Sequence, residues 1–378
     1  MTDTSLKILQ LSSARTIGGG ERHLADLANE LVTRGHDLHA VLRSDSQLLD
    51  ELTTLGKNVS TLPLRNALDA ASARRLARLV QQHNIQIVHA HMARDYPLAA
   101  YATRRNPRAK LIITRHVLFP LNRLHRLVLA QASRIIAVSE AVARAVRAQA
   151  LVPAKRIAVV PNGIETDRFE QARAQFDTKR FRTRWNLPED HFLVGTVAEI
   201  TPLKGHADFL RAAAIIVRRF PKTHFLIAGV DGSHTGEHRA ALEALIADLD
   251  LTKHVHLFGW FDDLPSFYCA LDVFVSASHT ESFGLVIAEA LASATPVVAT
   301  RTEGAEEILA PENSGSLVPV GDVDALASAV IAVLEDPDSS RGLAQTGVRI
   351  ARQRFTIDRM VEETEQIYRQ ALSEDRRR

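Results

Sequence analysis

The chain has 378 residues, 46% of them hydrophobic and 24% charged, which is long enough for two ordinary domains and too apolar for disorder. Its single cysteine, Cys269, excludes a disulfide framework, a cysteine zinc site and a CxxC redox pair; lying in the apolar run SFYCALDVF, it is expected to be a buried structural thiol. The net charge of +2 hides an imbalance, because residues 1–165 carry 23 Lys and Arg against 12 Asp and Glu, an excess of 11, and the remainder is negative by 9.

The opening MTDTSLKILQL has too short an apolar run, and no small-residue cleavage site, for an export signal. No run of about 18 apolar residues follows anywhere, so a cytoplasmic protein is expected and the NVS sequon at Asn58 reads as chance. KILQLSS reads as a buried strand and GGGERHLADLANELVTRGH as a helix closed by Gly35. LHAVLR, IQIVHAH, KLIITRH, RIIAVS and RIAVVPN are further β-rich runs, separated by the helical patterns DAASARRLARLVQQH, LNRLHRLVLAQA and EAVARAVRAQA. Such alternation implies a parallel sheet covered by helices on both faces.

After the polar stretch ETDRFEQARAQFDTKRFRTRW the order restarts with FLVGTVAEI, ADFLRAAAIIVRRF, HFLIAGV, HRAALEALIADLDL, VHLFGW, DVFVSAS, GLVIAEALASA, PVVAT and GSLVPV. The chain closes on the amphipathic pattern FTIDRMVEETEQIYRQAL and the basic tail Arg376, Arg377 and Arg378. The expected fold is therefore α/β, with two doubly wound, Rossmann-like domains facing each other across a cleft. They are placed at 1–165 and 166–354, with a C-terminal helix in 355–378 packing back on the first. Ligands of such sheets bind outside the carboxyl ends of the strands.

Two stretches there carry chemistry. Gly18, Gly19 and Gly20 follow the first strand and open a helix, where backbone N–H groups can approach a phosphate; a plain tight turn is the alternative. The pattern is not GxGxxG and the second strand closes on Arg43 rather than an acid, which disfavours a dinucleotide dehydrogenase. The second stretch is ESFGLVIAE, Glu281 to Glu289. Amides at Phe283, Gly284 and Leu285 would open a helix and form an anion site. The two carboxylates are eight residues apart, about 12 Å along a helix, roughly the length of a sugar–diphosphate–ribose strip. A capping acid plus an exposed helix glutamate fits that spacing equally well.

The ordered set GGGERHLADLANELVTRGH, IVHAH, TRH at Thr114–His116, AVSE, VVPNGIE, TPLKGH, the Glu281–Glu289 pair, PVVAT and EGAEEI resembles glycosyltransferase family 4, retaining enzymes of GT-B architecture, over nearly the whole chain. The resemblance implies that Gly19 and Gly20 lie under the diphosphate of a nucleotide-sugar donor and that Lys204 pairs with phosphate oxygens of the leaving group. It further implies that Glu281 contacts the transferred sugar, that Glu289 contacts the ribose and that His116 lies near the sugar. Glu307 matches an acid of the EGAEEI loop and reads equally as a helix acid. At most one of His89 and His91 is expected to face the cleft, and neither is assigned a role. The family usually has an arginine where this chain has Glu199; Arg15 and Arg115 are candidates to supply the missing cation.

No cofactor or metal is expected. Asp248-Leu249-Asp250 ends a helical pattern, and Asp322-Val323-Asp324 reads as a helix cap. Ten basic residues between 104 and 147, against the single acid Glu140, suggest an anionic or lipid-linked glycan acceptor or peripheral contact with an anionic membrane; solvated helix faces are the plainer reading. Aromatics at 5% provide no interleaved stacking platform for specific nucleic-acid binding. The reading is a retaining, metal-independent hexosyltransferase of cell-envelope or lipopolysaccharide synthesis. Glu199 keeps open a degenerate family member acting as a non-catalytic partner or sugar-binding subunit. An epimerase or phosphorylase of the same architecture fits less well.

Overall fold

A computed structural model describes residues 5–122, 125–233 and 235–374. Arg123 and the Arg376–Arg378 tail, counted above among the basic residues, lie outside the described residues. The chain forms two compact units, Met1–Gly163 with Ile357–Arg378, and Ile164–Thr356. The division thus falls at 163/164 and 356/357, within about two residues of the boundaries read from the sequence. Ile164 and Thr356 form an isolated bridge and Ile164 N–H donates to the Phe355 carbonyl at 2.7 Å, so both ends of the second unit are tied to each other.

The first unit holds strands β1 (Lys7–Ser12), β2 (Asp37–Leu42), β3 (Val59–Thr61), β4 (Ile87–Ala90), β5 (Lys110–Arg115), β6 (Arg134–Ala137) and β7 (Ile157–Val159). They form one sheet in the order β3-β2-β1-β4-β5-β6-β7, and every pairing is parallel, with Leu9 of β1 opposite His39 of β2 and Val88 of β4. The β1 run is buried from Ile8 to Ser12, as a strand covered on both faces must be. Helix α1 (Gly19–Thr33) starts at Gly18, whose N–H is capped by the Glu21 carboxylate at 3.1 Å, and ends before Gly35 at φ +82°. After α2 (Leu48–Glu51), helix α3 (Ala70–Gln82) is capped by Asp69, which accepts from Ser72 N–H at 3.0 Å. Helix α4 (Tyr96–Arg105) was not marked by the sequence patterns, because half of its apolar residues are alanine. Helices α5 (His125–Leu129) and α6 (Glu140–Ala148) follow, the latter capped by Ser139. Asn58 of the sequon donates to the Leu38 carbonyl at 3.1 Å, an internal link between chain segments.

The second unit opens with α7 (Thr166–Gln175) and α8 (Thr178–Arg184). The polar stretch thus folds as two helices, each anchored by one buried ring, Phe169 and Phe181. Its strands β8 (Phe192–Val197), β9 (Thr223–Ala228), β10 (Val255–Phe258), β11 (Val273–Ser276), β12 (Val297–Thr300) and β13 (Ser316–Val318) form an all-parallel sheet in the order β10-β9-β8-β11-β12-β13. Helices α9 (His206–Arg219), α10 (Glu237–Asp248), α11 (Leu264–Ala270), α12 (Leu285–Ala292), α13 (Glu303–Leu309), α14 (Val323–Glu335) and α15 (Pro337–Arg354) complete it. Asp248 closes α10 and Asp322 caps α14 through Ala325 N–H at 2.9 Å, so the two Asp-x-Asp strings have structural places.

The last helix, α16 (Ile357–Ser373), belongs to the first unit. Its buried Met360, Val361, Ile367 and Tyr368 pack in one cluster with Leu24, Leu27 and Leu31 of α1, each such side chain contributing about 1.5–3 kcal/mol of burial. Glu365 fixes its angle by accepting from Arg34 at 2.9 Å and meeting His36 at 2.8 Å.

Candidate active site

In each unit the strand order reverses once, between β1 and β4 and again between β8 and β11. Outside the carboxyl ends at such a reversal, neighbouring loops part and leave room for a ligand. Most of the residues singled out from the sequence lie on these loops or on the helices that follow them.

In the second unit the β8 loop turns through Pro202–Lys204 and enters α9 at Gly205. The Lys204 ammonium donates to the Glu281 carboxylate at 2.7 Å, joining the β8 and β11 loops by a half-buried ion pair. The alignment is enforced by backbone: His279 N–H donates to the Leu203 carbonyl at 2.8 Å, and Gly304 N–H donates to the Glu281 carbonyl at 3.0 Å. These contacts require glycine. A Cβ on Gly205, at φ +67°, would stand 1.8 Å from the Ala277 carbonyl oxygen; on Gly229 it would stand 1.8 Å from that of Ala198, and on Gly304 2.5 Å from that of Phe283. The three glycines let four loops meet with no side chain between them, and the sequence reading did not single them out. Their signals were the KGH, AGV and EGAEE strings.

Beyond Glu281, Phe283 is buried against Phe355, and Gly284 at φ +101° turns the chain into α12, which begins at Leu285. The Leu285 and Val286 amides that open α12 have no intrahelical acceptor and carry the partial positive charge of a helix start. Glu289, one turn farther on, is not an exposed helix acid: it is 8% exposed and accepts from the Tyr268 hydroxyl at 2.8 Å. Tyr268, on α11, was missed because SFYCALDVF reads as one apolar run. Cys269 beside it is half-buried rather than fully buried, and burial raises its thiol to about 11, so it is not a nucleophile at neutral pH. Glu307 lies on α13 and not on a loop; Thr302 caps that helix through Ala305 N–H. Glu199 is exposed, and its carboxylate lies against Gly232, where a Cβ would come within 2.8 Å of its oxygen. His206, buried directly after Gly205, is held neutral: burial and the Lys204 charge lower it to about 4.

In the first unit Gly18 and Gly19 are exposed at the start of α1, and Gly20 faces His116, which follows β5. A Cβ on Gly20 would sit 3.2 Å from His116 Cγ. His116 belongs to a group of four imidazoles. His89 and His91 were expected to present at most one ring to the site; two residues apart on a strand they share a face, and their centroids are 4.2 Å apart. Tyr368 O–H and Thr114 Oγ1 each lie 2.7 Å from a nitrogen of His89, and Gln10 Oε1 accepts from His91 Nε2–H at 2.8 Å. That bond leaves a lone pair on His91 Nδ1, facing His116 Nε2 at 3.2 Å. The His23 ring, on α1, stands 4.9 Å from that of His116. Burial, reinforced by the neighbouring imidazoles, holds His89, His91 and His116 well below the ordinary range, and burial lowers His23 to about 4. At neutral pH the group is uncharged.

Neither cation suggested in place of the missing arginine stands ready for it. Arg15 is exposed and pairs with Asp45 at 3.1 Å. Arg115 is 4% exposed and donates to the Val117 and Phe119 carbonyls, so it shapes its own loop. Of the basic residues between 104 and 147, Arg134 pairs with Glu374 and Arg147 with Glu140, while Arg104, Arg105, Arg108, Arg126 and Arg144 are exposed. Among the described residues no helix is long and apolar enough to cross a membrane.

Comparison with known proteins gives one consistent picture. Residues 17–168 match the family model described as Glycosyltransferase Family 4, and residues 177–349 match that described as Glycosyl transferases group 1. The chain is 30% identical to the D-inositol 3-phosphate glycosyltransferase of Acidothermus cellulolyticus, across 97% of this chain and 89% of that one. It is 25% identical to the N-acetyl-alpha-D-glucosaminyl L-malate synthase of Bacillus anthracis, across 96% of each. Among solved structures, Anabaena HepE in complex with UDP-glucose superposes with a TM-score of 0.82 at 25% identity, covering 98% of this chain and all of that one.

Proposed function

Since the chain belongs to the group 1, family 4 glycosyltransferases and folds as their two Rossmann-like domains, we propose that it transfers a sugar from a nucleoside-diphosphate donor to an acceptor hydroxyl with retention of anomeric configuration. The observation that carries this reading is the Lys204–Glu281 pair at the strand-order reversal of the second unit, next to the start of α12.

In this mechanism the α12 amides and Lys204 take the diphosphate, and the Lys204 charge offsets that which develops as the sugar–phosphate bond breaks. Glu281 turns from Lys204 to the sugar hydroxyls; in the first unit the Gly19 and Gly20 amides are assigned to phosphate and His116 to a sugar hydroxyl. Glu289 is assigned to the ribose, its carboxylate oriented by Tyr268. Retention follows from front-face displacement, in which the departing phosphate oxygen takes the acceptor proton, so no strong protein base is required. Fixed amides and an ammonium neutralise the leaving group, and the reaction is assigned no metal. The UDP-glucose bound to HepE supports a nucleotide-sugar donor. The exposed arginines on α4, α5 and α6 support an anionic or lipid-linked acceptor.

Thermal-shift binding of UDP, GDP, ADP and dTDP, each with and without Mg²⁺, tests the donor assignment. A ligand that binds only the folded state raises the midpoint according to its concentration over Kd. One winner, indifferent to Mg²⁺, is expected; no shift with any nucleotide would turn Glu199 into evidence for a non-catalytic subunit. Cosedimentation with anionic vesicles tests the acceptor side, and absence of binding at low salt removes the membrane contact.

A further inference from the structure

We propose that His23, His91 and His116 form a three-imidazole site for a divalent transition metal, with Zn²⁺ the best-fitting ion. One nitrogen of each ring lies within 4.8 Å of one nitrogen of the others. Zinc–imidazole bonds of about 2.0–2.1 Å place ligand nitrogens of a tetrahedral site about 3.4 Å apart. His91 Nδ1 and His116 Nε2 are already at 3.2 Å, so the remaining adjustment falls to the His23 ring. All donors are imidazole nitrogens, which suits zinc, copper or nickel and not Mg²⁺ or Ca²⁺.

Two further observations point to a ligand rather than to packing. His91 Nε2–H is pinned by Gln10 Oε1, the outer contact that fixes the tautomer of a metal-binding histidine and leaves Nδ1 as the donor atom. His23 is 2% exposed, yet neither of its ring nitrogens makes a hydrogen bond of normal geometry, nor does His116 Nδ1; the Asn162 side chain favours the His23 imidazolium, and burial outweighs it. A buried imidazole without a partner is costly, and a metal ion would give the His23 ring one. Three protein ligands leave a fourth position open. The positive start of α1 opposes a cation and favours an anion, such as phosphate, as that fourth ligand. A consequence rests on the proposed function: His116 cannot serve the donor sugar and the metal at once, so zinc inhibits transfer.

The full chain, stripped with chelator, is titrated with Co²⁺ as a spectroscopic probe and then with Zn²⁺ by calorimetry. One equivalent per chain is expected, with the visible bands of four-coordinate cobalt that zinc abolishes, and zinc-edge X-ray absorption on the wild type should find three imidazoles. His23→Asn is expected to weaken binding more than tenfold, and Gln10→Leu, which keeps all three ligands, by about 10–100-fold; circular dichroism checks that each variant folds. His224→Asn, breaking the separate His224–His256 contact of 2.9 Å in the other unit, should change nothing. Absence of a bound equivalent, or binding that follows His224 and not His23, overturns the site. Zinc bound at one equivalent without inhibition overturns only the competition, and metal binding by a chain that takes up no nucleotide leaves the site standing and removes the transfer reading.

Discussion

The two strand-order reversals have the same topology and opposite chemistry. In the second unit the loops after β8, β11 and β12 touch through bare backbone at Gly205 and Gly304 and carry an ion pair, Lys204–Glu281. In the first unit four uncharged imidazoles, from α1, from β4 and from the loops after β4 and β5, gather beside Gly20 and Gln10. One reversal is rigid and charged, suited to a group that gains charge as it departs. The other is neutral and built of imidazole rings. The fold fixes where a site lies, and the loop residues decide what it does.

The largest test of this contrast is Glu281→Ala. It should lower kcat by about 10²–10³-fold with circular dichroism unchanged, because the loop is held by backbone bonds to Gly304 and not by the carboxylate; near-normal turnover would remove Glu281 from the site. Next comes Gly205→Ala. Its methyl meets a fixed carbonyl at 1.8 Å in a left-handed turn, and a loss of about 3 kcal/mol or more in urea unfolding is expected.

Asp95 sharpens the other side. Its carboxylate accepts from Ser13 N–H at 2.8 Å behind the first unit's loops, and burial raises it from 3.8 to about 6. The unfolded chain therefore loses this proton first as pH rises. Stability should be highest below about pH 4, fall by about 3 kcal/mol up to about pH 6 and stay level above, on account of this group. Asp95→Asn should abolish that slope, read by urea melts across the range. Tyr268→Phe removes one hydrogen bond from buried Glu289 and should cost about 1–3 kcal/mol, with weaker donor binding if Glu289 serves the ribose. The smallest effect is expected for Gly20→Ala. Its methyl meets a ring at 3.2 Å rather than backbone, and the helix gain of up to about 1 kcal/mol offsets the contact. A change within about 1 kcal/mol would mark this reversal as adaptable; a loss as large as that at Gly205 would erase the contrast.

Much of the fold was legible because apolar runs such as KILQLS and HFLIA can only be strands buried on both faces, and capping residues such as Asp69 and Ser139 mark helix starts by local chemistry. Helix α4 escaped because alanines give little periodicity, while the sequence leaves Glu307 open between a loop and a helix acid, and the structure places it on α13. Lys204 and Glu281 stood out through their strings. Tyr268 did not, since a hydroxyl that bonds a carboxylate 21 positions away leaves no local mark.

Length, composition and hydrophobic periodicity by themselves determined two parallel α/β units, and the ordered motifs marked the loops at their strand-order reversals, because burial and capping act over a few residues of chain. Only the tertiary structure decided that Arg15 and Arg115 are otherwise engaged, that Glu289 is held by Tyr268, and that His23, His91 and His116 share one volume. Those outcomes depend on which side chains meet across strands and helices distant in sequence, and parallel crossovers bring together residues that no local pattern connects.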